Sequence, residues 1–210
     1  MHITYLFDPL CGWCYGASPV LEKIASEAAF ELDLVPAGLF AGDGARPMDA
    51  NFADYAWSND QRISRLTGQV FSEDYRRQVL ADSTRLFDSG PATLALAAVA
   101  VTAPARELEA LKAIQLARYV EGRDTTDPAV LAKVLAQLGL DDAATRLSAP
   151  DGAMLDFYRQ RIQGGRATMR KFGINGVPAL LVGGPDGQRL VPANALFSDA
   201  EGLLAGLRAA

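Results

Sequence analysis

The sequence is poor in the side chains that hold metals and phosphates. Cys11 and Cys14 are its only cysteines and His2 its only histidine. A structural zinc site needs four Cys or His ligands, so one chain falls short of it, although a cluster shared between two subunits through Cys11 stays open. A disulfide framework is also absent, and 210 residues are enough to bury a core without one. No basic run occurs, and acidic residues outnumber basic ones for a net charge of -5. That balance argues against a nucleic-acid partner, because phosphates are neutralised by Lys and Arg, and it disfavours an anionic membrane surface for the same reason. Long apolar runs are missing too. The most apolar stretch, Leu94 to Ala103, is too short to span a bilayer and reads as a buried helix. The opening residues Met1 to Phe7 lack the basic start of a secretory leader, which sets the expectation of a cytoplasmic protein. There is no internal repeat, low-complexity tract or Ser/Gly linker.

What is present is ordinary globular composition, half hydrophobic and a fifth charged, with a clear order of elements. His2 to Phe7 is a β-rich run stopped at Asp8-Pro9. From Cys14 to Ala29, Leu21, Ile24, Ala25 and Ala28 share one helical face, and Pro19 is expected to kink that helix. Phe30 to Val35 alternates apolar and acidic residues as a strand closed by Pro36 and Gly38. From Asn51 to Phe172 no convincing strand appears. Helices are predicted there on Ala113, Leu116, Ala117 and Val120, ending at Gly122, and on Leu131, Val134, Leu135 and Leu138 between Pro128 and Gly139. Another carries Leu155, Tyr158 and Ile162 and stops before Gly164-Gly165. The end reverts to β: Ala179 to Val182, a turn from Gly183 to Gly187, a returning strand Arg189 to Val191, and a closing helix from Asp199 to Leu207. The fold class is therefore α/β, a thioredoxin-like arrangement with residues 1–45 and 173–210 forming the thioredoxin-like domain and 46–172 a large helical insertion.

The chemistry concentrates in Cys11-Gly12-Trp13-Cys14, where the first strand hands over to the first helix. There the Cys11 sulfur meets unsatisfied N–H groups and the positive end of the helix dipole, which favours a thiolate. The thiolate is the attacking species in disulfide exchange, and the two-residue spacer lets Cys14 return to resolve a mixed disulfide. A C-x-x-C beside a β-α-β pattern is the sequence mark of a redox pair. The bland readings are half a metal site or two core cysteines. Asp8, three residues ahead of Cys11, is placed to cap the turn or helix, or to accept a proton from the resolving cysteine. Tyr15, Phe40, Tyr55 and Trp57 suit either the core or a groove and are assigned no site.

The run Leu6-Phe7-Asp8-Pro9-Leu10-Cys11-Gly12-Trp13-Cys14-Tyr15-Gly16 resembles the opening of the DsbA-like thioredoxin family, in particular its cytosolic branch of predicted protein-disulfide isomerases. Pro19, eight residues beyond Cys11, and Gly176-Val177-Pro178 before an apolar strand match the wider superfamily. Read alone, Val177-Pro178 fits a trans turn as well as a cis bond. The resemblance implies that Pro178 is cis and faces the cysteines and that the Val177 backbone pairs with substrate; Trp13, which brings no charge, reads from its own chemistry as a hydrophobic lip for substrate. The family's bacterial periplasmic oxidants carry a histidine between the cysteines; Gly12 and Trp13 stand there instead, so strongly oxidising behaviour is not implied.

These observations lead to a thiol-disulfide oxidoreductase, acting as a disulfide reductase or isomerase with Cys11 attacking and Cys14 resolving. Its expected partners are protein or small-molecule disulfides, with glutathione or a thioredoxin system as reductant. It needs no resident cofactor, and glutathione is its candidate co-substrate. The alternatives are a glutathione-dependent isomerase or transferase of kappa-like thioredoxin fold, whose members usually have serine where Cys11 stands, and the cluster-binding dimer.

Overall fold

The computed structural model describes residues 1–184, 187–197 and 200–208. Its central sheet holds four strands in the order β2-β1-β5-β6: β1 (His2–Phe7), β2 (Glu31–Pro36), β5 (Ala179–Gly184) and β6 (Gly187–Val191). Strand β1 runs parallel to β2, with Leu6 opposite Val35, and antiparallel to β5, with Leu6 opposite Ala179. Such a strand, flanked on both edges and covered on both faces, needs apolar residues at successive positions rather than in alternation. Ile3, Tyr5, Leu6 and Phe7 are accordingly all buried.

The two faces of the sheet have different partners. Tyr5, Phe7, Leu180 and Val182 join the main core with Leu21 and Ile24 of α2 (Ser18–Ser26) and Leu204 of α10 (Ala200–Arg208). Leu6, Ala179 and Leu181 point the other way, against Met169 and Phe172 of α9 (Gly152–Phe172). The expected kink at Pro19 is a complete break: α1 (Gly12–Gly16) ends before α2 begins, and Pro19 sits in the first turn of α2, where its missing N–H leaves no bond unmade.

Between β2 and β5 lie α3 (Ala50–Thr67), a short turn α4 (Glu73–Tyr75) that runs into a π-helical turn Arg76–Leu80, α5 (Gly90–Thr102), α6 (Glu107–Tyr119), α7 (Pro128–Gln137) and α8 (Asp141–Ser148), followed by α9. Helix α5 is the buried helix expected near Leu94; Ala92 and Ala95 to Val99 are wholly enclosed. One feature of this region was not legible: a ribbon of two-residue strands, β3 (Arg46–Pro47) and β4 (Leu86–Phe87), too short to show a period. The tip of the β5–β6 turn, Pro185-Asp186, and Asp199 at the expected start of the last helix lie outside the described residues.

Helix α9 corrects the sequence reading. It does not stop at Gly164-Gly165 but continues to Phe172 and is capped by Gly173, whose φ of 63° suits a residue without Cβ. The glycine serves close approach instead: a Cβ on Gly165 would stand 2.3 Å from the Pro36 carbonyl oxygen. Helix α9 thus lies directly on the end of β2. There Arg161 donates to the Leu34 carbonyl at 2.6 Å, and Arg166 donates to those of Ala37 and Gly38 at 3.2 and 2.7 Å. These bonds fix the segment that follows β2, which forms one wall of the site. Gly165→Ala should therefore destabilise the fold by about 1–3 kcal/mol, the usual cost of overpacking a contact that cannot give. The urea midpoint measures this, and an unchanged midpoint would show that α9 is free to move away from β2.

Candidate functional site

The site begins where β1 ends. Asp8 is completely buried, and its carboxylate accepts the Leu10 N–H at 3.0 Å, the Phe40 N–H at 3.1 Å and the Ser89 hydroxyl at 2.7 Å. The Asp8 carbonyl accepts the Cys11 N–H at 3.1 Å. One residue thereby joins the cysteine loop, the segment after β2 and the start of α5. Burial pushes the Asp8 carboxyl above its ordinary range, while its hydrogen bonds to Ser89, Phe40 and Leu10 pull the other way. Of the two capping roles open to Asp8, it takes the turn: Cys11 is the residue that precedes the first turn of α1.

Cys11 and Cys14 are both free thiols. Cys11 is 7% exposed and its Sγ donates to the Val177 carbonyl at 3.6 Å; the Val177-Pro178 peptide is cis. Cys14 lies deeper, at 1% exposure, beside the Cys11 side chain. Burial pushes the Cys14 thiol well up, and the neighbouring Cys11 adds to the effect. Below them, the Tyr5 hydroxyl donates to the Cys14 carbonyl at 3.4 Å and the Tyr119 hydroxyl to the Leu10 carbonyl at 2.7 Å. The pair is thus graded in depth, one sulfur at the surface edge and the other enclosed.

Cys11 opens into a cavity of about 340 Å³ that runs between the cysteine loop and α3. Trp13 forms one lip, set edge-on to Phe197 with ring centroids 5.0 Å apart. Val177 lies opposite, and Phe40, Phe52 and Tyr55 line the wall supplied by the segment after β2 and by α3. Cys11, Cys14, Asp8, Trp13, Val177 and Pro178 are therefore brought to one place. The uncommitted aromatics divide: Phe40 and Tyr55 line the cavity, Tyr15 is buried against Tyr119, and Trp57 lies under Arg76. Among the described residues no group of three or more His, Cys, Asp or Glu is assembled to hold a metal ion.

Sequence reasoning missed Asp60 and Arg118. Asp60, on α3, is 4% exposed, lines the cavity and accepts the Tyr75 hydroxyl at 3.1 Å. It comes so near the cysteine loop that a Cβ on Gly12 would stand 2.4 Å from its Oδ1, which explains a glycine at that position. Burial raises the Asp60 carboxyl to about 7, against the Tyr75 hydrogen bond and the Arg118 charge, which lower it. Arg118 is buried on α6, with its guanidinium 5.5 Å from the Tyr75 ring centroid and 5.2 Å from that of Phe87. In the sequence, an aspartate on an amphipathic helix and an arginine near a helix end look like solvated charges; nothing local marks either as buried.

The sequence pattern of the DSBA-like thioredoxin domain matches residues 2–201. Among solved structures, the chain is similar to the cytosolic disulfide reductase DsbM from Pseudomonas aeruginosa, with 30% identity and a TM-score of 0.88 over all of both chains. A form of that protein with GSH aligns at 30% identity and a TM-score of 0.87, covering all of this chain and 98% of the other. A putative protein disulfide isomerase from Nitrosomonas europaea aligns at 25% identity and a TM-score of 0.78, covering 99% of this chain and 97% of that one. No curated protein matches the sequence significantly.

The Asp60 environment has a consequence for stability. Its carboxyl releases a proton near 3.8 when unfolded and near 7 when folded. Across that window the native state holds the proton and the unfolded state does not, so stability falls as pH rises from about 4 to about 7 and levels off above. Asp8 and Glu107, also raised by burial, act in the same direction. Asp60→Asn should flatten part of this slope in urea unfolding measured at several pH values. An unaltered slope would mean that Asp60 titrates as an ordinary surface carboxylate.

Proposed function

The chain belongs to the DsbA-like thioredoxin family, and from that premise we propose that it is a disulfide reductase in which Cys11 attacks and Cys14 resolves. It is a thiol-disulfide oxidoreductase; the roles of individual residues and the direction of exchange are our assignment. The observation that carries it is the difference in depth between the sulfurs, Cys11 at the cavity edge beside Val177 and Cys14 enclosed behind it.

In this reading the Cys11 thiolate attacks one sulfur of a substrate disulfide and expels the other as a thiolate, which takes up a proton. Cys14 then loses its proton and attacks the Cys11 sulfur, releasing the second substrate thiol and leaving a Cys11–Cys14 disulfide. Two electrons pass from the dithiol to the substrate. The high barrier to ionising the buried Cys14 thiol keeps it from competing for the first attack. Asp8, whose charge acts on Cys14, anchors the loop and serves as acceptor for the Cys14 proton in the second step. Trp13 and Val177 border the bound substrate, and Pro178 holds Val177 in place beside Cys11.

Glutathione fits as co-substrate, since a DsbM structure with GSH shares the fold across the whole chain. It or a thioredoxin system would restore the dithiol. A cytoplasmic location is supported by the cytosolic DsbM and suits a reductant, because that compartment keeps thiols reduced. No helix among the described residues is long and apolar enough to cross a membrane.

Replacing Cys11 with serine should abolish insulin reduction, whereas Cys14→Ser should leave a protein that accumulates mixed disulfides on Cys11. Mass mapping after alkylation checks the order of attack. Adducts forming first on Cys14 would reverse the assignment.

A further inference from the structure

Among the described residues the cavity beside Cys11 has two charged wall residues, Asp60 and Arg46. The Arg46 guanidinium lies 5.1 Å from the Phe52 ring centroid and 5.9 Å from that of Phe40. Both rings rest edge-on against Phe87, at 5.1 and 4.7 Å, and Phe87 is the residue paired with Arg46 across the β3–β4 ribbon. The ribbon therefore has a use beyond connection: it carries the arginine and the ring behind its two supporting aromatics. A guanidinium stacked on aromatic faces keeps its N–H fork free and pre-oriented.

Among the described residues that fork has no protein acceptor. Arg46 makes neither an ion pair nor a side-chain hydrogen bond among the described residues, although the chain has more acidic than basic residues. Of the other exposed arginines, Arg77, Arg85, Arg159 and Arg208 each hold a carboxylate, whereas Arg62, Arg65, Arg146 and Arg170 hold none among the described residues; what sets Arg46 apart is its place in the cavity wall. An unpaired planar cation at the wall of a largely apolar cavity matches an oxyanion gripped by two parallel N–H donors, and a carboxylate is the oxyanion that thiol-bearing amino acids and peptides carry. The cavity volume of about 340 Å³ is in the range of small-molecule sites.

Resting on the disulfide-reductase reading above, we propose that Arg46 selects low-molecular-weight disulfides carrying a carboxylate, holding that group while a sulfur meets Cys11. Arg46 forms no bond in the exchange and moves no electrons; it contributes to binding and orientation. The carboxyl of Asp60, largely uncharged below neutrality, offers little repulsion to such an anion at the other side of the cavity.

The test is single-turnover oxidation of the fully reduced protein by two disulfides: glutathione disulfide, which carries carboxylates, and bis(2-hydroxyethyl) disulfide, which is neutral. Released thiol is counted after an acid quench. Arg46→Gln should lower the second-order rate constant for glutathione disulfide roughly tenfold or more, the weight of one charge-assisted contact, and leave the neutral disulfide unchanged. Esterifying the glutathione carboxylates should bring the wild type down to the rate of the variant. Arg65→Gln, on the same helix as Asp60 but outside the cavity, removes one positive charge and should leave both rates as they are. Equal loss with both disulfides, or no loss with glutathione disulfide, overturns the proposal. Failure of the wild type to react with either disulfide would instead overturn the reductase reading itself.

Discussion

The site depends on one buried carboxylate. Asp8 has no access to water, and a carboxylate placed in such surroundings without donors would be costly enough to be protonated or expelled. Three donors from three segments meet it there: Leu10 in the cysteine loop, Phe40 beyond β2 and Ser89 at the start of α5. Because each donor satisfies the same group, none of the three segments can shift without leaving a buried charge short of a partner, and that asymmetry is what makes the arrangement rigid. The Cys11 amide on the Asp8 carbonyl extends the constraint to the reactive residue itself.

Depth then separates the roles of two chemically identical side chains. Cys14 is enclosed by core residues, and its ionisation is opposed first by loss of water and then by the adjacent Cys11. Once Cys11 is bonded to substrate sulfur, that second opposition disappears, so the first chemical step lowers the barrier to the one that follows. In the proposed reading, the order of events therefore follows from the burial gradient.

Much of this was legible in the sequence because the relevant signals are local. The change of period after Phe7, the break at Pro19 and the C-x-x-C at the junction each lie within a few residues, and together they specify the β-α-β half and its reactive pair. Gly176-Val177-Pro178 became informative only through resemblance, since nothing local distinguishes a turn proline from one facing a site some 166 residues away in the chain. Gly164-Gly165 misled because a glycine pair is read as a helix stop, whereas its cause was the Pro36 carbonyl against Gly165. Asp60, Arg118 and Arg46 were illegible for the same reason. Their meaning comes from what other segments place around them, and a charged side chain in a helical pattern carries no mark of its burial.

The two halves of the molecule contribute different things to one cavity. The sheet and its first helix supply the sulfurs, the Val177 carbonyl and the Trp13 lip, all that exchange requires. The intervening helical region supplies Phe52, Tyr55 and Asp60 from α3, and Tyr75 and Tyr119 from the elements behind it. Exchange chemistry on an open sheet edge would accept any accessible disulfide, because the bond being attacked is the same in all of them. Enclosing the attacking sulfur adds a requirement on the groups attached to that bond. In the proposed reading the insertion acts on which disulfides arrive, while the thioredoxin-like part determines what happens to them; the Asp8 carboxylate, reached by donors from both, keeps the two in register.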